Sequence, residues 1–115
     1  MDKLKKYRRE IQEVLTEFAR PRRLGTEKAE EFETQTIFDT VRDHYQVLHV
    51  GWENGKRTYG VIIHIDIKNG KLWVQQNWTD YDFIGELMER GISQKDIVLA
   101  FHSPAMRKYT DFAVA

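Results

Sequence analysis

Histidine is the one side chain whose charge ordinarily changes between pH 5 and 8, and it is the commonest metal ligand. The sequence has four: His44, His49, His64 and His102. His49 and His64 lie in neighbouring runs of alternating polarity and would project from one face of a sheet. Asp66 is the third donor that such a face would offer. A catalytic zinc site needs three protein ligands and a structural one needs four. The spacing of these residues matches no ligand signature, so no tight, stoichiometric metal is predicted. His102-Ser103-Pro104 sets an imidazole beside a hydroxyl. A nucleophile–base pair is defined by geometry and an orienting acid, not by adjacency, and the triplet reads as a turn ahead of Pro104. Asp39, Asp43 and Asp66 do not assemble an acidic metal cluster, because Asp43 falls in a turn and Asp39 faces away from Asp66. The chain has no cysteine, which removes thiolate ligands, disulfides and a cysteine nucleophile. Glycines 51, 55, 60 and 70 fit turns and close strand packing, not a phosphate loop. The residues therefore predict no catalytic group and no cofactor, and they favour a regulatory or partner-binding protein over an enzyme.

The elements that would position these residues are legible in the periodicity. Leu4, Tyr7, Ile11, Val14, Leu15 and Phe18 recur at three- and four-residue steps, which puts them on one helical face. Asp2 caps that helix, and Pro21 stops it because the residue before a proline resists helical angles. Residues 21–31 read as a polar connector. From Phe32 to Trp78 the period is two, in runs of about 32–41, 44–53, 57–67 and 71–78. Arg42-Asp43, Asn54-Gly55 and Asn69-Gly70 separate them, and Asn-Gly between strands is a strong hairpin signal. A second helix is predicted from about Asp80 to Arg90, capped by Thr79 or Asp80 and stopped by Gly91. Ser93 opens a further capping turn, and Ile97 to Phe101 follows as a short buried segment. The expected fold is α+β: an N-terminal helix, a four-stranded antiparallel meander, then a C-terminal helix and the buried segment, in one domain spanning 1–115.

Two-residue turns fix register. They set His49 opposite Gly60, Tyr45 opposite His64, and His64 opposite Gln75. One face would then carry Leu48, Val50, Trp52, Tyr59, Val61, Ile63, Ile65, Ile67, Leu72, Val74 and Trp78 and would meet the helices. The other would carry Phe38, Tyr45, Val47, His49, Ile62, His64, Trp73 and Gln75, together with Thr36 and Thr40. Aromatic groups among neutral polar ones have the composition of an interface core. This second face is expected to bind protein, most simply a second copy of the chain as a homodimer.

Charge is balanced overall, with 18 basic and 18 acidic residues. Strong nonspecific nucleic-acid binding usually rests on a basic excess, which the chain as a whole lacks. Locally the charge is segregated: residues 1–25 hold eight basic against four acidic side chains, and residues 26–54 hold seven acidic against two basic. Such patches suit pairing with complementary surfaces, including those of another copy. Arg20, Arg22 and Arg23 form a basic knot around Pro21 that could touch phosphates but offers few contacts. The early charges, and the lack of any apolar run near ~18 residues, predict neither signal peptide nor membrane span. A cytoplasmic protein is expected.

Several stretches together resemble a known family. They are Ile37-Phe38-Asp39-Thr40 with Arg42-Asp43-His44-Tyr45-Gln46, Leu48-His49-Val50-Gly51-Trp52, Val61 to Asn77 (VIIHIDIKNGKLWVQQN), Asp96 to Pro104 (DIVLAFHSP), and Phe112-Ala113-Val114-Ala115. In this order they resemble the XisI family, the fdxN-element excision controlling factors of cyanobacteria, over nearly the whole chain. Trp78 departs from the pattern, which has a small residue there, and the 20–33 connector is expected to vary. The resemblance implies an accessory controlling factor for site-specific excision of a DNA element. It would act with an XisH-like partner while a serine-type recombinase performs the strand chemistry. It transfers no catalytic residue. Because the XisH-like partner resembles a nuclease-fold protein, the resemblance also implies an alternative, an antitoxin-like inhibitor of that partner.

Overall fold

The structure, a computed structural model, describes residues 2–20 and 31–115, with the backbone alone for residues 31 and 32. Helix α1 spans Lys3–Ala19. The Asp2 carboxylate caps it by accepting from the Leu4 amide at 3.0 Å. Its buried face is Tyr7, Ile11, Val14 and Leu15, with Leu4 and Phe18 packed at the margin, so the apolar stripe lies where the three- and four-residue spacing puts it.

Strands β1 (Glu31–Asp39), β2 (His44–Glu53), β3 (Lys56–Lys68) and β4 (Lys71–Asn77) form the expected antiparallel meander. Asn54-Gly55 and Asn69-Gly70 both take positive φ at each position, the conformation that matches a two-residue loop to the right-handed twist of its strands. A fifth strand, β5 (Ile97–Leu99), joins the edge parallel to β4, giving the order β1-β2-β3-β4-β5. This is the predicted buried segment, and all three of its residues are buried.

Helix α2 spans Phe83–Glu89, three residues later than expected at its start. Asp82, not Thr79 or Asp80, is the cap, accepting from the Gly85 amide at 2.9 Å. The Thr79 hydroxyl instead accepts from the Tyr81 amide at 3.1 Å, which spends Asp80 and Tyr81 on a turn. At the other end the Ile92 and Gly91 amides donate to the Leu87 and Met88 carbonyls at 3.1 and 3.0 Å. That double closure requires a left-handed residue, supplied by Gly91 at φ 99°. Ser93 caps a single 3₁₀ turn at Gln94–Asp96, and Ser103 precedes the short helix α3 (Pro104–Arg107). Among the described residues no helix is long and apolar enough to cross a membrane.

The sheet register contains two interruptions that alternation alone does not reveal. Val47 pairs with Ile63 while Leu48 pairs with Val61, so Ile62 is an extra residue in β3. His64 pairs with Gln76 while Ile65 pairs with Val74, so Gln75 is an extra residue in β4. A bulge of this kind shifts everything beyond it by one position and strengthens the local twist. His49 does lie opposite Gly60, but Tyr45 lies opposite Ile65 and not His64, and His64 lies opposite Gln76 and not Gln75.

The shift redistributes the faces. Tyr45 and Val47 are fully buried, and Ile62 is buried with them in the core that α1 and α2 cover. Phe38 packs against the same cluster, its ring 5.8 Å from that of Tyr45. Tyr45, Val47 and Ile62, expected on a partner-binding face, belong to the interior, and Phe38, expected there too, is partly buried against them. Phe38, Tyr45, Ile65, Val74 and Leu99 pair strand by strand into one apolar row under the helices. Conversely Trp52, Tyr59 and Trp78, expected inside, are 49%, 67% and 74% exposed. Val61 is only half-buried. By alternation along β2, Leu48, Val50 and Trp52 share the face opposite Tyr45 and Val47.

The segregated charges are partly satisfied within the chain. Arg8 forks onto Asp43 at 2.8 and 3.1 Å. Arg90 reaches Glu10 at 3.0 Å, Glu13 at 2.9 Å and Glu86 at 3.5 Å. Asp96 takes the Tyr7 hydroxyl at 2.6 Å and the Lys3 ammonium at 3.2 Å. Burial, and then the bond to Asp96, push the Tyr7 hydroxyl up to about 12. For Glu10 burial opposes ionisation, but the bonds from Arg90 and Arg9 outweigh it and the net shift is downward. For Asp96 burial again opposes, and Tyr7 and Lys3 outweigh it. Both folded-state pKa values therefore lie below their unfolded values. The stabilisation is present above the ordinary carboxylate range and is lost as pH falls through the lowered folded values. Urea midpoints should accordingly drop between pH 6 and pH 3, and Glu10→Gln should shallow that drop. An acid limb identical in the variant and the parent would show that Glu10 is not among the groups responsible.

Candidate functional site: a histidine–aspartate cluster on the outer face

The face of the sheet turned away from α1 and α2 is built by the residues between the buried ones. Asp39, His44, Asp66 and Trp73 pair successively across β1 to β4, and Ile37, Gln46, His64 and Gln76 form the next row. His44 lies directly opposite Asp66. His64 is two residues from Asp66 on the same strand, so both project from one side. The extra residue Ile62 creates this alignment: with an uninterrupted register, His44 would face Ile65.

The three side chains converge on one oxygen. His44 Nδ1 lies 2.7 Å from Asp66 Oδ1, and His64 Nε2 lies 2.8 Å from the same atom. The two rings meet edge to face, 6.4 Å apart. Gln75 Nε2 donates to Asp66 Oδ2 at 3.2 Å, which is how the second bulge contributes to the cluster. Gln46 Nε2 lies 3.3 Å from His64 Nδ1. Burial works to raise the Asp66 pKa, but the hydrogen bonds from His44 and His64 outweigh it and leave the carboxylate ionised to lower pH than usual. His64 and Asp66 are half-buried and His44 is exposed, so water and small ions reach the cluster from one side.

Trp73 extends the face. Its indole donates to the Lys68 carbonyl at 3.1 Å, with the Lys68 ammonium 4.1 Å from its ring centre. The Arg107 guanidinium lies 5.6 Å from the same ring, anchored on the His102 carbonyl at 3.0 Å. At the far end of the hairpin, Arg57 lies 5.7 Å from the Trp52 ring and 5.6 Å from that of Tyr59.

Of the residues singled out in the sequence, His64, Trp73 and Gln75 meet on this face. Phe38, Tyr45, Val47 and Ile62 do not, and His49 projects by alternation with Val47, away from the cluster. Asp66 does lie against His64, but the second histidine on it is His44 and not His49. Asp39, expected to face away from Asp66, lies in the same outer-face row because the bulge at Ile62 shifts the register. The three aspartates still go to separate partners: Asp39 to the amides of Val41 and Arg42, Asp43 to Arg8, and Asp66 to the histidines. Arg20 pairs with Glu17 at 3.5 Å, while Arg22 and Arg23 lie outside the described residues.

The sequence profile of the family described as XisI protein matches residues 1–114. The chain belongs to the XisI family. Among solved structures it is similar to an XisI-like protein from Anabaena variabilis ATCC 29413, with a TM-score of 0.84 and 42% identity over 97% of this chain and 99% of that one. It is also similar to the fdxN element excision controlling factor XisI of the same organism, with a TM-score of 0.80 and 36% identity over 99% of this chain and 100% of that one. No match was found among curated proteins. The α+β architecture stands as expected and is shared with these XisI-like structures; the parallel pairing of β5 with β4 goes beyond the four-stranded meander that the sequence predicts.

Proposed function

We propose that this XisI-family chain is an accessory controlling factor for site-specific excision of a DNA element, acting through an XisH-like protein partner rather than by catalysis. The observation that carries the reading is the likeness to the fdxN element excision controlling factor at 36% identity across both chains. The surface supports a contact role. Trp52 and Tyr59 stand exposed around Arg57, and Ile37 is 52% exposed on the same outer face as the polar cluster. Tryptophan, tyrosine and arginine are the residue types that most often anchor protein interfaces. A soluble domain seldom leaves several large apolar groups together in water without a use.

The test is co-expression with the XisH-like protein, tagged on that partner, followed by gel filtration and an excision reporter. A stable complex is expected, and it should weaken roughly tenfold or more in Trp52→Ala/Tyr59→Ala without loss of folding. Excision should fail when the chain is omitted. Absence of a complex, or excision that proceeds without the chain, would overturn the proposal. Suppression of a nuclease activity of the partner in the absence of any recombinase would replace it with the inhibitor reading. Sedimentation of the chain alone separates partner binding from self-association, since a homodimer through the same face would also be sensitive to the double substitution.

A further inference from the structure

We propose that His44, His64 and Asp66 form a binding site for a divalent transition-metal ion of the zinc type, open to solvent on the outer face of the sheet. The donor set is two imidazoles and one carboxylate, which suits zinc and its neighbours rather than magnesium or calcium. The ligand atoms, His44 Nδ1, His64 Nε2 and an Asp66 oxygen, all lie within 4.8 Å of one another. Zinc bonds of about 2.0–2.2 Å put tetrahedral ligand atoms roughly 3.3 Å apart. The present separations of 2.7 and 2.8 Å need to open by only about half an ångström as the ion replaces the shared protons.

The surroundings are arranged as outer-shell support. Gln75 fixes the second Asp66 oxygen at 3.2 Å, and Gln46 reaches the remote His64 nitrogen at 3.3 Å. A metal on His64 Nε2 moves the remaining ring proton to Nδ1. Turning the Gln46 amide over then presents its oxygen to accept that proton, the partner that a ligating histidine ordinarily has. The backbone holds the set rigidly: His44 and Asp66 are register partners on adjacent strands, and the bulges at Ile62 and Gln75 flank them. Bulges recur where a strand must re-aim a side chain for use. The site leaves at least one coordination position for water or for a donor from a bound protein.

The experiment is calorimetric titration of tag-free, full-length protein with zinc chloride at pH 7.5, with cobalt(II) absorption as an independent readout of coordination. One ion per chain is expected, with a tetrahedral cobalt spectrum and a zinc-dependent rise in melting temperature. His44→Gln and Asp66→Asn should each weaken zinc binding roughly tenfold or more, and Gln75→Ala by a smaller factor. His49→Ala should leave it unchanged. Circular dichroism melts without zinc identify any variant that has merely unfolded, and for such a variant His64→Gln serves in its place. No binding at millimolar zinc would overturn the site. So would binding that survives His44→Gln and Asp66→Asn, or that is abolished by His49→Ala.

Discussion

Tyr45→Ala should destabilise the protein by about 3–5 kcal/mol, the usual cost of emptying a large aromatic site in a core, and should do so whether or not any partner is present. Tyr45 has no exposed surface, packs on Phe38, and sits in the buried row between Phe38 and Ile65. A domain of this size holds only about 5–15 kcal/mol of net stability, so the variant loses a large share of it and its urea midpoint should fall well below that of the parent. Tyr45→Phe keeps the ring and removes only the hydroxyl, which donates to Asp43 Oδ1 at 2.8 Å. Because Asp43 keeps its fork to Arg8, that change should cost only about 1 kcal/mol. Urea denaturation followed by circular dichroism distinguishes the two. An interface role for Tyr45 would give the opposite pattern, an unaltered midpoint in Tyr45→Ala with altered assembly, and that result would remove the buried row from the account. For the same reason Ile62→Asp is unsuited as a probe of binding, since it introduces a charge into the core.

The contrast between Tyr45 and Trp52 shows which parts of this fold are written locally. The α1 stripe, the two Asn-Gly hairpins and the Gly91 stop each depend on residues within a few positions of one another, and each is where the pattern puts it. A β-bulge is different, because it is a relation between two strands. Nothing in the run from Val61 to Ile65 marks Ile62 as the extra residue, since every neighbour is compatible with a strand on either face. Its consequence is nevertheless large. The core contact of β2 passes to Tyr45 and Val47, while Trp52 and Tyr59 become exposed, although large aromatics are ordinary tokens of burial. The same single step decides the candidate site. The sequence supplies His64, Asp66 and Gln75 on one face, but only the shifted register brings His44, otherwise a residue flanking a turn, opposite Asp66. Alternation points to His49, whose pairing with Gly60 is as expected; the bulge lies just beyond that pair.

Asp43→Ala should be the next most damaging change, at about 2–4 kcal/mol, through two separable effects. The first is the buried hydroxyl of Tyr45, which loses its acceptor; leaving such a group unsatisfied costs about 1–3 kcal/mol. The second is the backbone: Asp43 has φ 64°, a left-handed conformation that costs an alanine roughly 1–2 kcal/mol and that Asp, Asn and Gly tolerate better. Asp43 also anchors the turn through its carbonyl, which accepts from the Ile67 amide at 3.1 Å, so strain there is passed to β3. Asp43→Asn keeps the backbone preference and an oxygen for Tyr45 and Arg8 Nε, but it loses the charge and the second acceptor of the fork, since its amide nitrogen cannot accept from Arg8 Nη2. Asp43→Gly removes the strain but not the missing acceptor. The order of stability should therefore be wild type, Asn, Gly, Ala. In a Tyr45→Phe background the hydroxyl is already gone, so Asp43→Ala should cost less than in the parent, with a coupling of about 0.5–3 kcal/mol. Equal costs in the two backgrounds would mean that the Tyr45–Asp43 hydrogen bond contributes nothing measurable, and that the turn is held by its backbone and Arg8 alone.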